Sequence, residues 1–200
     1  GASGIHPKEI AVEAGYAYEV IKNFSVSATF KYLFSDMGRI GNSRGASSVA
    51  FDLGVLYKCG INDWEGAGWS VGLHVSNLGP KINYLTSKDA LPATVKVGGA
   101  ADLPFLQMHK LTLTADLGYR LSPADVQALS VSAGAEYAWR ELVMLRGGYH
   151  CGDKKKGDAS YATAGAGVEY AGVRLDFAWL FAGHEYLARN TFWVSLGYSF

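Results

Sequence analysis

Phe192, Val194, Leu196, Tyr198 and Phe200 alternate with residues that include Ser195, Gly197 and Ser199 over the last nine positions of this chain. Side chains along a strand point to opposite faces with period two, so the first set makes a continuous apolar face and the second a smaller, more polar one. A soluble sheet gains little from placing its most apolar strand at a chain end, where fraying is expected. A membrane barrel does gain, because its wall turns an apolar face to lipid and a small or polar face to the interior. The pattern predicts a strand built for a bilayer.

The same alternation recurs along the chain. It predicts strands near 10–21, 24–34, 48–58, 67–79, 92–103, 109–121, 126–138, 141–151, 159–170, 172–182 and 190–200. In 24–34, Val26, Ala28, Phe30, Tyr32 and Phe34 oppose Ser25, Ser27, Thr29 and Lys31. In 172–182, Val173, Leu175, Phe177, Trp179 and Phe181 oppose Arg174, Asp176 and Ala178. The segment 141–151 is the least regular, because Leu142 and Met144 share a face with Arg146.

Composition supports a barrel. Charged residues make up 18% of the chain, below the roughly 25% of soluble domains. The 25 glycines, 12 tyrosines, 9 phenylalanines and 5 tryptophans suit small interior positions and aromatic girdles. With 18 basic and 18 acidic residues scattered along the chain, no basic stripe points to nucleic acid. No apolar run approaches the ~18 residues of a membrane helix, but barrel strands need only about 9–11. His, Cys and carboxylates do not cluster at metal-ligand spacing, and neither a metal nor a cofactor is expected.

The connections alternate in length. Those near 22–23, 59–66, 104–108, 139–140 and 171 are expected to be short periplasmic turns, with Cys59–Gly66 long for that set. Those near 35–47, 80–91, 122–125, 152–158 and 183–189 are expected to be outer loops, and three of them are the longest or richest in turn residues. About eleven strands is an odd count, whereas single-chain bacterial barrels have an even number. An open edge in lipid leaves backbone groups unpaired at several kcal/mol each. Residues 1–200 are therefore expected to be the C-terminal portion of one larger outer-membrane barrel domain. The start, Gly1-Ala2-Ser3-Gly4, reads as a chain whose leader has been removed or whose beginning lies upstream.

Several segments resemble the PorV/PorQ family, outer-membrane barrel proteins of the type IX secretion system of Bacteroidota. They include His6-Pro7-Lys8-Glu9-Ile10-Ala11-Val12, Lys31-Tyr32-Leu33-Phe34-Ser35-Asp36-Met37 and, most clearly, Gly72-Leu73-His74-Val75-Ser76-Asn77-Leu78-Gly79-Pro80-Lys81-Ile82-Asn83-Tyr84. The similarity continues through Leu91-Pro92-Ala93, Ala133–Tyr137, Leu145–Tyr149 and Ala164–Val168. It implies an all-β fold, a transmembrane antiparallel β-barrel of the FadL-like type with about fourteen strands. It implies no catalysis. It implies a carrier that receives secreted cargo with a C-terminal signal domain from the SprA translocon and delivers it to the PorU/PorZ sortase complex at the cell surface. Outer loops would form the cargo surface, and no motif fixes the partner-binding residues.

Two readings compete with that one. The first is a FadL-type transporter of small hydrophobic molecules, which requires a continuous apolar pocket reaching the interior and a lateral gap in the wall. The second is an esterase acting on lipid A or lipopolysaccharide, suggested by His74 and Ser76 on one strand face. A spacing of i, i+2 separates their β-carbons by about 7 Å, so contact is neither established nor excluded, and a third orienting group is needed. The structural reading, a strand end entering the Pro80 loop, is favoured. Inward charges such as Glu13, Lys31, Asp52, Asp116, Glu136 and Asp176 suit paired networks better than a substrate path. Lys154-Lys155-Lys156 could contact cargo or lipopolysaccharide, but a solvated loop tip is the favoured reading. Gly147-Gly148 and Gly165-Ala166-Gly167 lie on strands, match no phosphate loop, and suggest close approach of another segment.

Register follows from the pattern. Phe30, Tyr32, Phe51, Val71, Leu113, Phe177, Trp179 and Phe192 are expected on the lipid or partner face, and Lys31, Asp52, Asp116 and Asp176 on the interior face. Cys59 and Cys151 fall at opposite ends of an apolar band ~25 Å tall. A disulfide needs Cα atoms within about 7 Å, so these two are expected not to pair.

Overall fold

The computed structural model describes residues 8–36, 45–83, 88–183 and 191–199. Phe200 and the segments 1–7, 37–44, 84–87 and 184–190 lie outside the described residues, and with them the expectations on the terminal aromatic, His6-Pro7, Met37 and Tyr84. The described residues form thirteen strands: β1 Lys8–Ile21, β2 Phe24–Asp36, β3 Ala46–Gly60, β4 Gly68–Leu78, β5 Ile82–Asn83, β6 Lys88–Asp89, β7 Thr94–Phe105, β8 His109–Arg120, β9 Leu129–Trp139, β10 Val143–Cys151, β11 Tyr161–Tyr170, β12 Val173–Ala182 and β13 Phe192–Tyr198. All eleven expected strands exist. They form one sheet in the order β1-β2-β3-β4-β7-β8-β9-β10-β11-β12-β13, while β5 and β6 make a small ladder of their own. Every long strand thus neighbours the next long strand in the chain, with β1 and β13 as the end strands.

Boundaries move where local chemistry intervenes. The strand expected from 92 begins at Thr94, because Pro92 has no N–H to give a ladder. The strand expected from 126 begins at Leu129, because Ala124–Val126 closes a 3-10 turn in which the Val126 N–H donates to the Pro123 carbonyl at 3.2 Å. The β5–β6 ladder, with Ile82 opposite Asp89 and Asn83 opposite Lys88, lies inside the expected 80–91 loop and has no period-two signature at two residues per strand.

The alternation of connections holds. Lys22-Asn23 and Ala171-Gly172 are two-residue links. Leu106 and Gln107, Arg140 and Glu141, and Ala171 and Gly172 each form a consecutive pair with positive φ, the backbone of a type I′ turn. The Ile61–Ala67 connection is the long member of this set. It is closed by the Ile61 N–H donating to the Ala67 carbonyl at 2.9 Å and pinned by Trp64 Nε1–H donating to the Pro104 carbonyl at 2.9 Å.

Two compact units make up the chain. The first is Gly1–Leu56, Leu73–Lys96 and Tyr119–Gln127; the second is Tyr57–Gly72, Val97–Gly118 and Ala128–Phe200. In the first, β1 and β2 pair antiparallel with Glu13 opposite Lys31 and Tyr16 opposite Ala28. In the second, β9 to β13 pair antiparallel in succession, with Arg146 opposite both Glu136 and Gly165, and Gly167 opposite Asp176.

Burial is inverted relative to a soluble sheet. Phe51 is 50% exposed while its neighbour Asp52 is 7% exposed. Phe30, Tyr32, Val71, Leu113, Phe177 and Phe192 are exposed as well, whereas Lys31, Asp116 and Asp176 are half-buried. Trp179 is the departure from the expected set. It shares a face with Phe177 but is half-buried, because Phe177, Phe181 and Phe192 surround its ring with centroids 6.1–6.3 Å away. The buried hydrophobic residues are mostly alanines, and no large side chain is fully enclosed among the described residues. A large exposed apolar surface of this kind marks contact with a partner or a membrane. Among the described residues, no helix is long and apolar enough to cross a membrane.

Candidate functional site

The most buried stripe of the first unit is Ala46, Ser48, Ala50 and Asp52, alternate residues on one face of β3. What covers it is the connection after β4. Gly79 approaches Val49 so closely that a β-carbon would collide with the Val49 carbonyl oxygen, and it would also meet Leu91 Cδ1 at 2.9 Å. Ser48 Oγ donates to the Pro80 carbonyl at 3.2 Å, and Leu91 is 6% exposed. The described ends of a connection expected at the surface, Gly79-Pro80 and Leu91, therefore pack inward over β3.

Asn77 holds the entrance to that loop. It sits in the left-handed region at φ 57, which asparagine tolerates better than most residues. Its N–H donates to Asp52 Oδ1 at 2.8 Å, and its Nδ2 donates to the Pro92 carbonyl at 3.2 Å. Lys31 Nζ lies 2.7 Å from Asp52 Oδ2 and 3.8 Å from Glu13 Oε1, and donates to Asn77 Oδ1 at 3.4 Å. One charged cluster from β1, β2 and β3 thus fixes both ends of the loop through a single side chain. The Leu121 and Ser122 N–H groups both donate to the Ala93 carbonyl, at 2.8 and 3.4 Å, which ties the β8–β9 connection to the same anchor.

This geometry gives Ser76, Asn77, Gly79 and Pro80 each a structural role. Ser76 Oγ donates to the Thr94 carbonyl at 3.5 Å. His74 is exposed, with Cδ2 beside Gly54. The structure does not bring the His74 ring and the Ser76 hydroxyl together as a hydrogen-bonded pair among the described residues.

A second charged network belongs to the other unit. Arg146 of β10 donates through Nε to Glu136 of β9 and through Nη1 to Asp176 Oδ1 of β12 at 2.5 Å. Arg174 Nε donates to Asp176 Oδ2 at 2.8 Å, and its Nη1 lies 3.6 Å from Glu169. The bridge from β10 to β12 passes over β11, where Gly167 leaves the space; a β-carbon there would collide with Asp176 Oδ1. Gly165 is under similar constraint, with its β-carbon position 2.9 Å from the Phe177 carbonyl oxygen. The glycine run expected to permit close approach does so.

Sequence reasoning missed a third cluster. His150 lies near the end of β10, with Nδ1 3.0 Å from Ser132 Oγ and Nε2 3.1 Å from Asp158 Oδ1, its ring stacked on Tyr161 at 4.8 Å. These are the residue types of a hydrolytic triad. A nucleophilic serine also needs donors aimed at a developing oxyanion, and Ser132 sits inside β9 between β8 and β10, where backbone N–H groups serve the ladders. The cluster acts as a brace that ties the β10–β11 loop to the strand ends. The sequence hides it because a turn at 139–140 would set Ser132 opposite Gly147, whereas the observed pairing of Trp139 with Val143 sets Ser132 opposite His150.

A groove of about 700 Å3 opens on the apolar face of the first unit, lined by residues including Tyr16, Tyr18, Ala28, Leu53, Leu73 and Val75. It forms where Ala28 stands among larger neighbours. No group of His, Cys, Asp and Glu among the described residues could hold a metal ion. Cys59 and Cys151 are free thiols.

A family model described as type IX secretion system protein PorV matches residues 2–127. That span takes in β1 to β8, the Asp52–Asn77 anchor and the loop it holds. No curated protein matches the chain.

Proposed function

Because this chain belongs to the PorV family of type IX secretion system proteins, we propose that it is a non-enzymatic outer-membrane carrier of that system. It receives secreted cargo, recognised by a C-terminal signal domain, from the SprA translocon and delivers it to the PorU/PorZ sortase complex. The observation that carries this reading is the family match over the anchored loop. A loop held at both ends by Asn77 and folded onto β3 is a pre-organised surface, which lowers the entropy lost on capturing a partner. The exposed apolar strand faces, with charges on the opposite face paired in networks, support placement in the outer membrane.

The eleven long strands read as the C-terminal portion of a single barrel domain that further strands complete. Supporting this, β1 and β13 each have one neighbour in the sheet and expose residues on both faces, and unpaired edges are not viable in lipid.

Transport of small hydrophobic molecules is supported by the groove beside Tyr16 and Tyr18, but that groove opens among the apolar side chains rather than among the charged residues. The esterase reading has no support at Ser76, whose hydroxyl donates to a backbone carbonyl.

Affinity purification from native outer membranes tests the proposal. Recovery of the translocon or the sortase complex, together with proteins bearing the C-terminal signal domain, is the expected result. Recovery of the folded protein with neither machinery nor cargo would overturn it.

A further inference from the structure

The loop between β10 and β11 uses its carboxylates and its lysines differently. Its sequence, Gly152-Asp153-Lys154-Lys155-Lys156-Gly157-Asp158, places two carboxylates around three ammonium groups. Asp153 Oδ1 accepts the Lys155 N–H at 2.9 Å, and its carbonyl accepts the Lys156 and Asp158 N–H groups at 2.9 and 3.0 Å. Gly157, at φ 76, returns its N–H to the Lys154 carbonyl at 3.2 Å. Asp158 is held by His150, which is itself fixed by Ser132 and Tyr161. Both carboxylates therefore serve the frame of the loop. Lys154 and Lys155 are exposed and form no salt bridge among the described residues.

The sequence alone favours a solvated tip, the usual fate of a short charge run. In the structure the two carboxylates are engaged by the loop's own N–H groups and by His150, while the Lys154 and Lys155 ammonium groups have no anionic partner among the described residues. The loop also follows directly on a strand that carries an exposed apolar face. Tyr149, two residues before the end of β10, is 55% exposed on the same face as exposed Leu145. Aromatic rings at the edge of a barrel's apolar band mark headgroup level. A turn starting five residues later has its backbone within roughly 17 Å of the Tyr149 backbone at the ~3.3 Å rise of a strand.

We propose that Lys154 and Lys155 bind the phosphate groups of an outer-leaflet glycolipid whose acyl chains lie against Tyr149 and Leu145. An acidic peptide would match the lysines but leave the adjoining apolar face uncovered, whereas a phosphorylated lipid engages both. The inference rests on the outer-membrane placement proposed above and does not depend on cargo transfer.

Native mass spectrometry of the detergent-purified protein with bis-phosphorylated lipid A tests it. The K154Q/K155Q double variant is expected to lose at least ten-fold in lipid occupancy, given a few-fold per basic residue at an anionic surface. The K154R/K155R variant should keep occupancy within two-fold. Dephosphorylated lipid should bind wild type and double variant alike. Equal occupancy of the bis-phosphorylated lipid on wild type and K154Q/K155Q would overturn the proposal. So would displacement of that lipid by millimolar inorganic phosphate or by a polyglutamate peptide, which would indicate a free-anion or an acidic-protein site. Heat-modifiable migration establishes that each variant is folded. Cargo recovery scored on the same preparations separates failure of this inference from failure of the carrier reading.

Discussion

Arg146 reaches Asp176 across an intervening strand, Nη1 to Oδ1 at 2.5 Å, and the gap it crosses is Gly167. Three neighbouring strands are thereby tied at one level by side chains as well as by backbone ladders. Substituting Ala for Gly167 puts a methyl group where the carboxylate oxygen sits. The G167A variant is expected to lose about 1–3 kcal/mol, the range for a displaced, partly buried charged hydrogen bond. Urea unfolding in detergent reads this directly; a midpoint equal to wild type would show that the bridge carries no net stability.

The Asn77 anchor makes a separable prediction. Removing its side chain in N77A frees the Pro92 carbonyl and Lys31 Nζ of one partner each, and alanine is less at ease at φ 57. Proteolysis between residues 80 and 92 should accelerate at least ten-fold while the strands stay protected. Unchanged cleavage would mean that the loop is held by Ser48, Gly79 and Leu91 alone.

Lipid contact is tested by L113K, which places a cation on the exposed apolar face of β8. At mid-membrane depth it should cost roughly 2–4 kcal/mol. T112A on the opposite face should cost less, about 1 kcal/mol, since Thr112 Oγ1 donates to Asp102 Oδ1 at 2.7 Å. The folded fraction after refolding into lipid vesicles ranks the two, and a worse defect in T112A would reverse the assignment of faces.

Thiol labelling tests direction. Cys151 lies at the long-loop end of β10, and Cys59 near the short-turn end of β3. An impermeant maleimide applied to intact cells should modify Cys151 and spare Cys59 until the envelope is opened. Labelling of Cys59 alone would invert every inside and outside assignment.

Period-two alternation made all eleven long strands legible, because each places an apolar side chain at every second position over seven or more residues. Tertiary pairing was less so. The side of β10 that carries Arg146 is ambiguous in the sequence, because Leu142 and Met144 share it and look apolar. In the structure Met144 is buried there, with its sulfur 3.2 Å from Arg146 Nη2. The inward packing of Gly79, Pro80 and Leu91 over β3 is hidden for a different reason. It depends on the absent β-carbon of Gly79 and the left-handed backbone of Asn77, and a strand-to-loop boundary displays neither.

The shared Ala93 carbonyl couples two surface segments that lie about thirty positions apart in the chain. Because Leu121 and Ser122 both donate to it, a force applied to either connection is transmitted to the other through one peptide unit next to Pro92. Pro92 stiffens that unit, since its ring fixes φ. The two connections therefore share one anchor at residues 92–93, so any displacement of that peptide unit reaches both of them.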